Sequence, residues 1–418
     1  MAETIIFHID VNSAFLSWEA CRRIQNHMDG PDLRSIAAVV GGNQETRHGI
    51  VLAKSLPAKR YGIQTGETLV SARQKCPALV IVPPDYELYV QYSRKLIELL
   101  RTLSPTVEQY SIDEAFVDFT GFETLYGQPL IFAEELKNRI REELGFTVNI
   151  GVSTNKLLAK MASDFKKPDR VHSLFPWEIE EKMWGLPVGD LFYVGRKTEK
   201  KLQAMGIMTI GELAHTDKQL LQSVFKSHGL VIWNYANGYD MELVTDHQVA
   251  NKGYGNSITL PQNVVDASAA KMVLLSLAET VGTRIRADKA YINVVSISMV
   301  YDDFNSITKQ MTLLSATNLT DTIYQEACRL FDSVWNHAPI RQLGVHTSKA
   351  TKEQDYQYTL FDSQNHEKLE KLDSAIDKIR ARFGEDSVQR ACFLRSDYQH
   401  MSGGLDKAKR TGISGKEI

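Results

Sequence analysis

The sequence predicts an α+β chain of several domains, and three observations support this. Its 418 residues leave room for roughly two to four domains with cores of their own. The first 165 residues alternate short apolar runs with amphipathic stretches, as a mixed α/β unit does. Residues 253–347 run strand, helix, strand, strand, helix, strand, the order of a small split sandwich.

TIIFHIDVN (4–12) reads as a strand ending in Asp10, and 13–28 as a helix with Ser13 as its cap. IAAVVG (36–41) is a second strand; Gly41, Gly42 and Gly49 bracket a turn-rich crossing into 50–54. Residues 56–78 read as short helices and turns, with Gly62 and Gly66 as breakers. LVIVPPDY (79–86) ends a strand on two prolines, and 85–103 is helical through Tyr89, Tyr92, Leu96, Leu99 and Leu103. Residues 107–119 read as a strand or tight hairpin, 128–144 as a helix, and VNIGVSTN (148–155) as a strand entering a helix at 155–165. These short strands are expected to return to one sheet. KKPDR (166–170) breaks the pattern, and short helices follow to about residue 238. A polar, linker-like stretch spans 240–252. Beyond the split sandwich come a polar segment with QYTLF at 357–361, a helix at 366–383 and a Gly/Lys-rich tail.

Composition narrows the class. The chain is 43% hydrophobic and 24% charged, the balance of an ordinary soluble protein. No window reaches about 18 continuous apolar residues, and the N-terminus lacks a signal-peptide pattern. Cys21, Cys76, Cys328 and Cys392 are too far apart to suggest a disulfide framework or a zinc knuckle. A reducing cytoplasm and no membrane are the expectation. The net charge of −3 argues mildly against a nucleic-acid partner, although local basic patches and helix N-termini can bind phosphate regardless of the total.

The stretch YSIDEAFVDFTG (110–121) sets Asp113 and Glu114 side by side in an otherwise apolar, β-branched and aromatic run. Asp10 ends another such run about a hundred residues earlier. On adjacent strands the three carboxylates would repel unless cations lay between them. Oxygen ligands suit Mg²⁺, and two such ions can serve phosphoryl transfer. Neighbours in an ideal strand point to opposite faces, so both Asp113 and Glu114 reach one site only near a turn or bulge. The plainer reading is a solvent-facing acidic pair at a strand end.

The surrounding letters are specific. HIDVNSAFLSWE (8–19), YSIDEAFVD (110–118), NIGVSTNKLLAKMASDFKKP (149–168) and GNSITLP (255–261) resemble, in order, motifs of the Y-family DNA polymerases. These are the translesion enzymes that include bacterial DNA polymerase IV; the nearest subgroup resembles the Gram-positive UV-damage repair protein UvrX. The resemblance implies a right-hand-like polymerase. Its ferredoxin-like palm would span 1–25 and 78–165, its small fingers 26–77, and its helical thumb 166–239. A linker at 240–252 would precede a β-α-β-β-α-β little finger at 253–350. Residues 351–418 would carry a clamp-binding peptide, a helix and a tail. It implies a DNA-directed nucleotidyltransferase, bypassing damaged bases at low fidelity, with two Mg²⁺ ions and deoxynucleoside triphosphates as substrate.

The resemblance also assigns residues. Asp10 and Asp113 match the ligands of both metals, Glu114 a ligand of one, and Val11 a backbone-carbonyl ligand. Phe15 matches the steric gate, a ring that leaves no room for a ribose 2′-hydroxyl; a core aromatic is the plainer alternative. Lys160 matches a triphosphate contact, against a solvent-facing lysine. Lys59 stands where the family often has arginine, and Arg60 is its neighbouring alternative; a lysine lacks the bidentate fork. Leu56 and Asn12 depart from a tyrosine and an aspartate common in the family. Ser111 and Ser153 lie near the site without an assigned role, and His8 reads as packing or solvent contact.

VGDLFYVGRKTEKKLQAMGIMTIG (188–211) resembles a helix-hairpin-helix. Gly195, Arg196, Lys197, Lys200 and Lys201 would hold a DNA phosphate without reading sequence. Gln357, Leu360 and Phe361 match a short peptide that binds the sliding clamp. Primer-template DNA and the clamp are the partners implied, with a monomer expected. Two alternatives stay open: a nucleotidyl cyclase-like enzyme on the same palm, and a non-catalytic DNA- and clamp-binding relative.

Overall fold

The structure, a computed structural model, describes residues 4–42, 49–246, 250–352, 366–395, 398, 400 and 401. The residues of the clamp-peptide match, 357–361, lie outside them. The chain divides into two compact units, which meet in sequence between Gln248 and Val249.

The first unit opens with β1 (Ile6–Val11), α1 (Ala14–Gln25), β2 (Ala38–Gly41), β3 (Val51–Lys54), α2 (Leu56–Arg60), α3 (Leu69–Lys75) and β4 (Val80–Val82). It continues with α4 (Tyr86–Arg101), β5 (Val107–Gln109), β6 (Glu114–Asp118), α5 (Glu123–Tyr126), α6 (Pro129–Leu144), β7 (Val148–Ser153), α7 (Lys156–Asp164) and β8 (Val171–Ser173). The helical end comprises α8 (Ile179–Lys182), α9 (Arg196–Ala204), α10 (Ile210–His215), α11 (Lys218–Phe225) and α12 (Ser227–Ala236).

The strands do not return to one sheet. A five-stranded sheet runs β5-β6-β1-β7-β8, and β3-β2-β4 form a separate three-stranded one. The expectation failed because β2 pairs parallel with β4, so β4 leaves the span assigned to the palm and closes a small core with α2 and α3 instead. The larger sheet also extends past residue 165. β8 adds in parallel to β7 from a segment read as a helical region. The 107–119 run is a hairpin, β5 with β6.

Alternation along β1 gives its two faces different work. Phe7, Ile9 and Val11 enter a core with Trp18 of α1, Tyr89 and Leu96 of α4, and Leu136 and Ile140 of α6. Ile6, His8 and Asp10 face the other way, toward α7. That helix lies close on the sheet because position 151 is glycine: a Cβ there would sit 1.9 Å from the Ala159 carbonyl oxygen. Ser13 starts α1 in a left-handed conformation with φ 48° and makes no side-chain cap. The Ser17 hydroxyl donates instead to the Asn12 carbonyl at 2.6 Å. The stretch read as a linker is shared: residues 240–246 pack on this unit, and Asn251 and Lys252 bond within the second one, to Asp288 and Ala350. Leu157 N–H donates to Asp240 (3.1 Å), and Thr245 N–H to Glu108 (3.0 Å).

The second unit holds β9 (Gly255–Val264), α13 (Ala267–Ala287), β10 (Tyr291–Tyr301), β11 (Ser306–Thr317), α14 (Thr320–Val334), β12 (Ile340–Thr351) and α15 (His366–Phe383). Its strands form one antiparallel sheet in the order β11-β10-β12-β9. β12 thus lies between the parallel pair β9 and β10, and β10 between β11 and β12: a split βαβ on each side. Ile297, Met299, Leu343 and Val345 pack with Leu277 and Val281 of α13 and Phe331 of α14. α15 is pinned by charge: Arg286 of α13 meets Asp373 at 3.0 Å and Asp377 at 2.6 Å, all well buried. Among the described residues no helix is long and apolar enough to cross a membrane.

Candidate active site

The antiparallel register sets Asp10 of β1 directly opposite Glu114 of β6. Asp113 lies in the bend just before β6, and its carbonyl accepts from Val11 N–H at 3.0 Å. The turn needed for two adjacent carboxylates to serve one site is therefore present. The structure brings the backbones of Asp10, Val11, Asp113 and Glu114 together at one end of the sheet.

Their side chains do not converge in this conformation. Among the described residues no three His, Cys, Asp or Glu side chains form a group that could hold a metal. Each carboxylate has its own partner. Asp10 accepts from Lys167 Nζ at 2.5 Å, Glu114 from Lys160 Nζ at 2.6 Å, and Asp113 from the Ser111 hydroxyl at 2.7 Å. The demand for positive charge is plain. Burial pushes the Asp10 carboxyl up to about 6, Lys167 opposes this, and Glu114 and Asp164 add to it. Lys167 is held above its ordinary pKa: burial works against the ammonium, but Asp10 and Asp164 outweigh it. Hard oxygen donors on two adjacent strands, with ammonium groups already drawn to two of them, fit a divalent cation.

Lys160 does not face solvent. It is buried, and its ammonium also lies 5.4 Å from the centroids of the Tyr110 and Phe192 rings. Phe15 is half-buried and stacks on Tyr89 with centroids 4.4 Å apart and planes 9° from parallel. Tyr86 meets it edge-on at 6.2 Å. Behind them the Tyr89 hydroxyl donates to the fully buried Glu19 at 3.1 Å. The ring is thus both an aromatic packed against the core and a rigid wall.

Lys59 and Arg60 stand exposed in the last turn of α2, and Leu56 is exposed at its start. Half-buried Lys54 on β3 joins them: burial first, then Lys59, push its pKa down. Sequence reading missed Lys54; the signal was an apolar strand, VLAK, ending in a cation just before the α2 motif. It also missed Lys167, whose KKPDR context read as a mere charged break. His8 is fully buried against the Phe116 ring and hydrogen-bonded to Ser163 at 2.7 Å, so it packs and does not touch solvent. Its burial, then Lys160 and Lys167, hold its pKa well below the usual range. Ser153 donates to the Leu174 carbonyl, a structural bond.

Gly195 caps α9, and Arg196, Lys197, Lys200 and Lys201 are all exposed on it. Gly206, at φ 82°, turns the chain from α9 toward α10.

Three family models match the chain. The impB/mucB/samB family covers residues 9–164, its C-terminal domain 251–360, and the IMS family HHH motif 177–207. A DNA polymerase IV of Clostridium acetobutylicum is 42% identical over 394 residues, covering 94% of this chain and 99% of its own length. A DNA polymerase IV 2 of Bacillus subtilis is 34% identical over 402 residues, 94% of this chain and 95% of its own length. Among solved structures, a Y-family DNA polymerase chimera superposes with a TM-score of 0.71 at 21% identity, covering 84% of this chain and all of its own. A cyclase on a similar palm would need neither the HHH segment nor the C-terminal domain, and a binding-only relative would not need the paired carboxylates at the sheet end. With matches running nearly end to end, the chain belongs to the Y-family of DNA polymerases.

Proposed function

We propose that the chain performs template-directed, translesion DNA synthesis at the end of the five-stranded sheet, adding deoxynucleotides to a primer 3′-hydroxyl. The observation that carries the location is the pairing of Asp10 with Glu114, beside Asp113 bound through its backbone to Val11. Asp10, Asp113 and the Val11 carbonyl would hold two Mg²⁺ ions, with Glu114 on one of them. When bound, such ions supply charge that activates the primer hydroxyl and stabilises the departing pyrophosphate.

The chain's own residues do the rest by position and electrostatics. Lys160, on the same buried face, would pass from Glu114 to the triphosphate. Lys59, Arg60 and Lys54 would draw its outer phosphates as point charges, since Leu56 offers no hydroxyl there. Phe15, braced by Tyr89 and Tyr86, would meet the sugar of the incoming nucleotide. Gly195, Arg196, Lys197, Lys200 and Lys201 would grip a backbone phosphate of primer-template DNA. The outer face of the four-stranded sheet, with Ser296, Ser298, Thr308, Gln310 and His346, would contact the duplex through uncharged polar groups. In this reading residues 1–25 and 83–165 with β8 act as palm, 26–82, β4 included, as fingers, 166–239 as thumb and 253–350 as little finger. Gln357, Leu360 and Phe361 would tether the enzyme, acting as a cytoplasmic monomer, to the sliding clamp and raise its local concentration on DNA.

Primer extension on undamaged and abasic templates tests the reading. Wild type should extend both with Mg²⁺ and stop when EDTA is added. Asp113→Ala should bind the same primer-template and extend neither. Extension by Asp113→Ala at the wild-type rate would overturn the site.

A further inference from the structure

We propose that Lys167 is a counter-ion shared between Asp10 and Asp164, one that holds Asp10 in the metal-free protein and yields it to a divalent cation. This rests on the reading of Asp10 as a metal ligand. Lys167 Nζ lies 2.5 Å from Asp10 Oδ2 and 2.7 Å from Asp164 Oδ1. The two acceptors differ in kind. The Asp10 side chain is 12% exposed and that of Asp164 51%. An ammonium driven off the buried carboxylate therefore keeps a partner at the surface, three residues back at the end of α7.

The segment that carries Lys167 is held on both sides. Asn149, wholly buried on β7, donates from Nδ2 to the carbonyls of Ser163 and Lys166, each at 3.0 Å. Its Oδ1 accepts from Arg170 N–H at 3.3 Å and from Asn12 Nδ2 at 3.2 Å. Asn12 Oδ1 accepts from Asp169 N–H at 2.9 Å. Residues 166, 169 and 170 are thus tied to Asn149 of β7 and to Asn12, just past the end of β1, and Lys167 is aimed along Asp10. Asn12 needs its amide for this: it donates on one side and accepts on the other, whereas an aspartate could not donate to Asn149. The departure at position 12 serves to place the lysine.

The neighbouring ammonium groups are engaged elsewhere, Lys160 with Glu114 and Lys156 with Glu108, so Lys167 alone balances Asp10 among the described residues. A dication and an ammonium cannot both sit on one carboxylate without strong repulsion. Lys167 should therefore raise the metal concentration the site requires, and Asp164 should lower it by drawing the lysine away.

The test is Mn²⁺ binding to the full-length chain at pH 8, read from the electron paramagnetic resonance signal of free Mn²⁺. Lys167→Met should bind about tenfold more tightly, Lys167→Arg about as wild type, and Asn12→Ala in the direction of Lys167→Met. Asp164→Asn should bind about threefold more weakly, and most of that loss should vanish in the Lys167→Met background. Asp10→Asn should lose this binding in either background. Unchanged or weaker binding in a folded Lys167→Met, with binding still lost in Asp10→Asn, overturns the counter-ion and leaves the metal assignment standing. Wild-type affinity in Asp10→Asn overturns both. If Lys167→Met fails to fold, Asn12→Ala with Asp164→Asn decides: shifts of the same sign, or none, overturn the proposal.

Discussion

The two sheets of this molecule solve opposite problems. In the five-stranded sheet, β1 and β7 are buried at every position, covered by α1, α4 and α6 on one face and α7 on the other. In the four-stranded sheet α13 and α14 cover one face, and Thr308, Gln310 and Thr312 stand exposed on the other. A charge in the first environment must have a partner, and each site carboxylate has found one. The second environment asks for no pairing, and its face can meet a large partner through hydroxyls and amides. In the proposed function, chemistry would sit where burial makes charge strong, and grip where solvent keeps the surface adaptable.

Breaking the close packing of the first sheet should give the largest effect. Gly151→Ala would drive a Cβ into the Ala159 carbonyl, displacing α7 with Lys160. Chemical denaturation should show a loss of roughly 3 kcal/mol or more, with extension lost as well. A mild, sub-kcal/mol change would mean that α7 does not depend on that glycine.

The buried charge gives a pH signature of comparable size. The Asp10 carboxyl sits at about 6 against an ordinary 3.8, so ionising it weakens the metal-free fold. The sign follows: its favourable contribution is complete below pH 3.8 and is lost as pH rises through 6. Asp10→Asn, free of that charge, should exceed wild-type stability in EDTA by about 2–3 kcal/mol at pH 8, the gap closing toward pH 4. A constant gap across that range would show that burial does not govern Asp10.

Phe15→Ala removes a braced wall without touching a charge. It should raise ribonucleotide incorporation relative to deoxynucleotide by roughly tenfold or more in single-nucleotide assays. Unchanged sugar discrimination would leave Phe15 as core packing alone. The smallest effect belongs to the open face: Thr308→Glu should alter stability by no more than ~0.5 kcal/mol while weakening primer-template binding about threefold at low salt. No change in binding would place the duplex elsewhere.

The contrast between the sheets also explains what the sequence could convey. The split order of the second unit is readable because its strands are long and joined through well-patterned helices. The carboxylates stand out because charge inside an apolar run is rare, and the adjacency of Asp113 and Glu114 already required a bend. The partition into two sheets in the first unit was hidden: β4 and β8 are three residues each, too short for periodicity to say which sheet they join. Lys160 and Lys167 were hidden for a related reason. A lysine in a helix or a charged break reads as solvated until the carboxylate it faces, over forty residues away, is known. Ser13 holds the cap position its residue type suggested, but with a left-handed backbone it caps without its side chain, its carbonyl accepting from Ser17 N–H.

The most direct measurement compares Asp10→Ala, Asp113→Ala and Glu114→Ala with wild type in single-turnover nucleotide addition, alongside primer-template affinity. Each variant should add nucleotide at least about a thousandfold more slowly while binding DNA as wild type does. Addition within a few fold of wild type by any of the three would contradict a reaction centre at this end of the sheet.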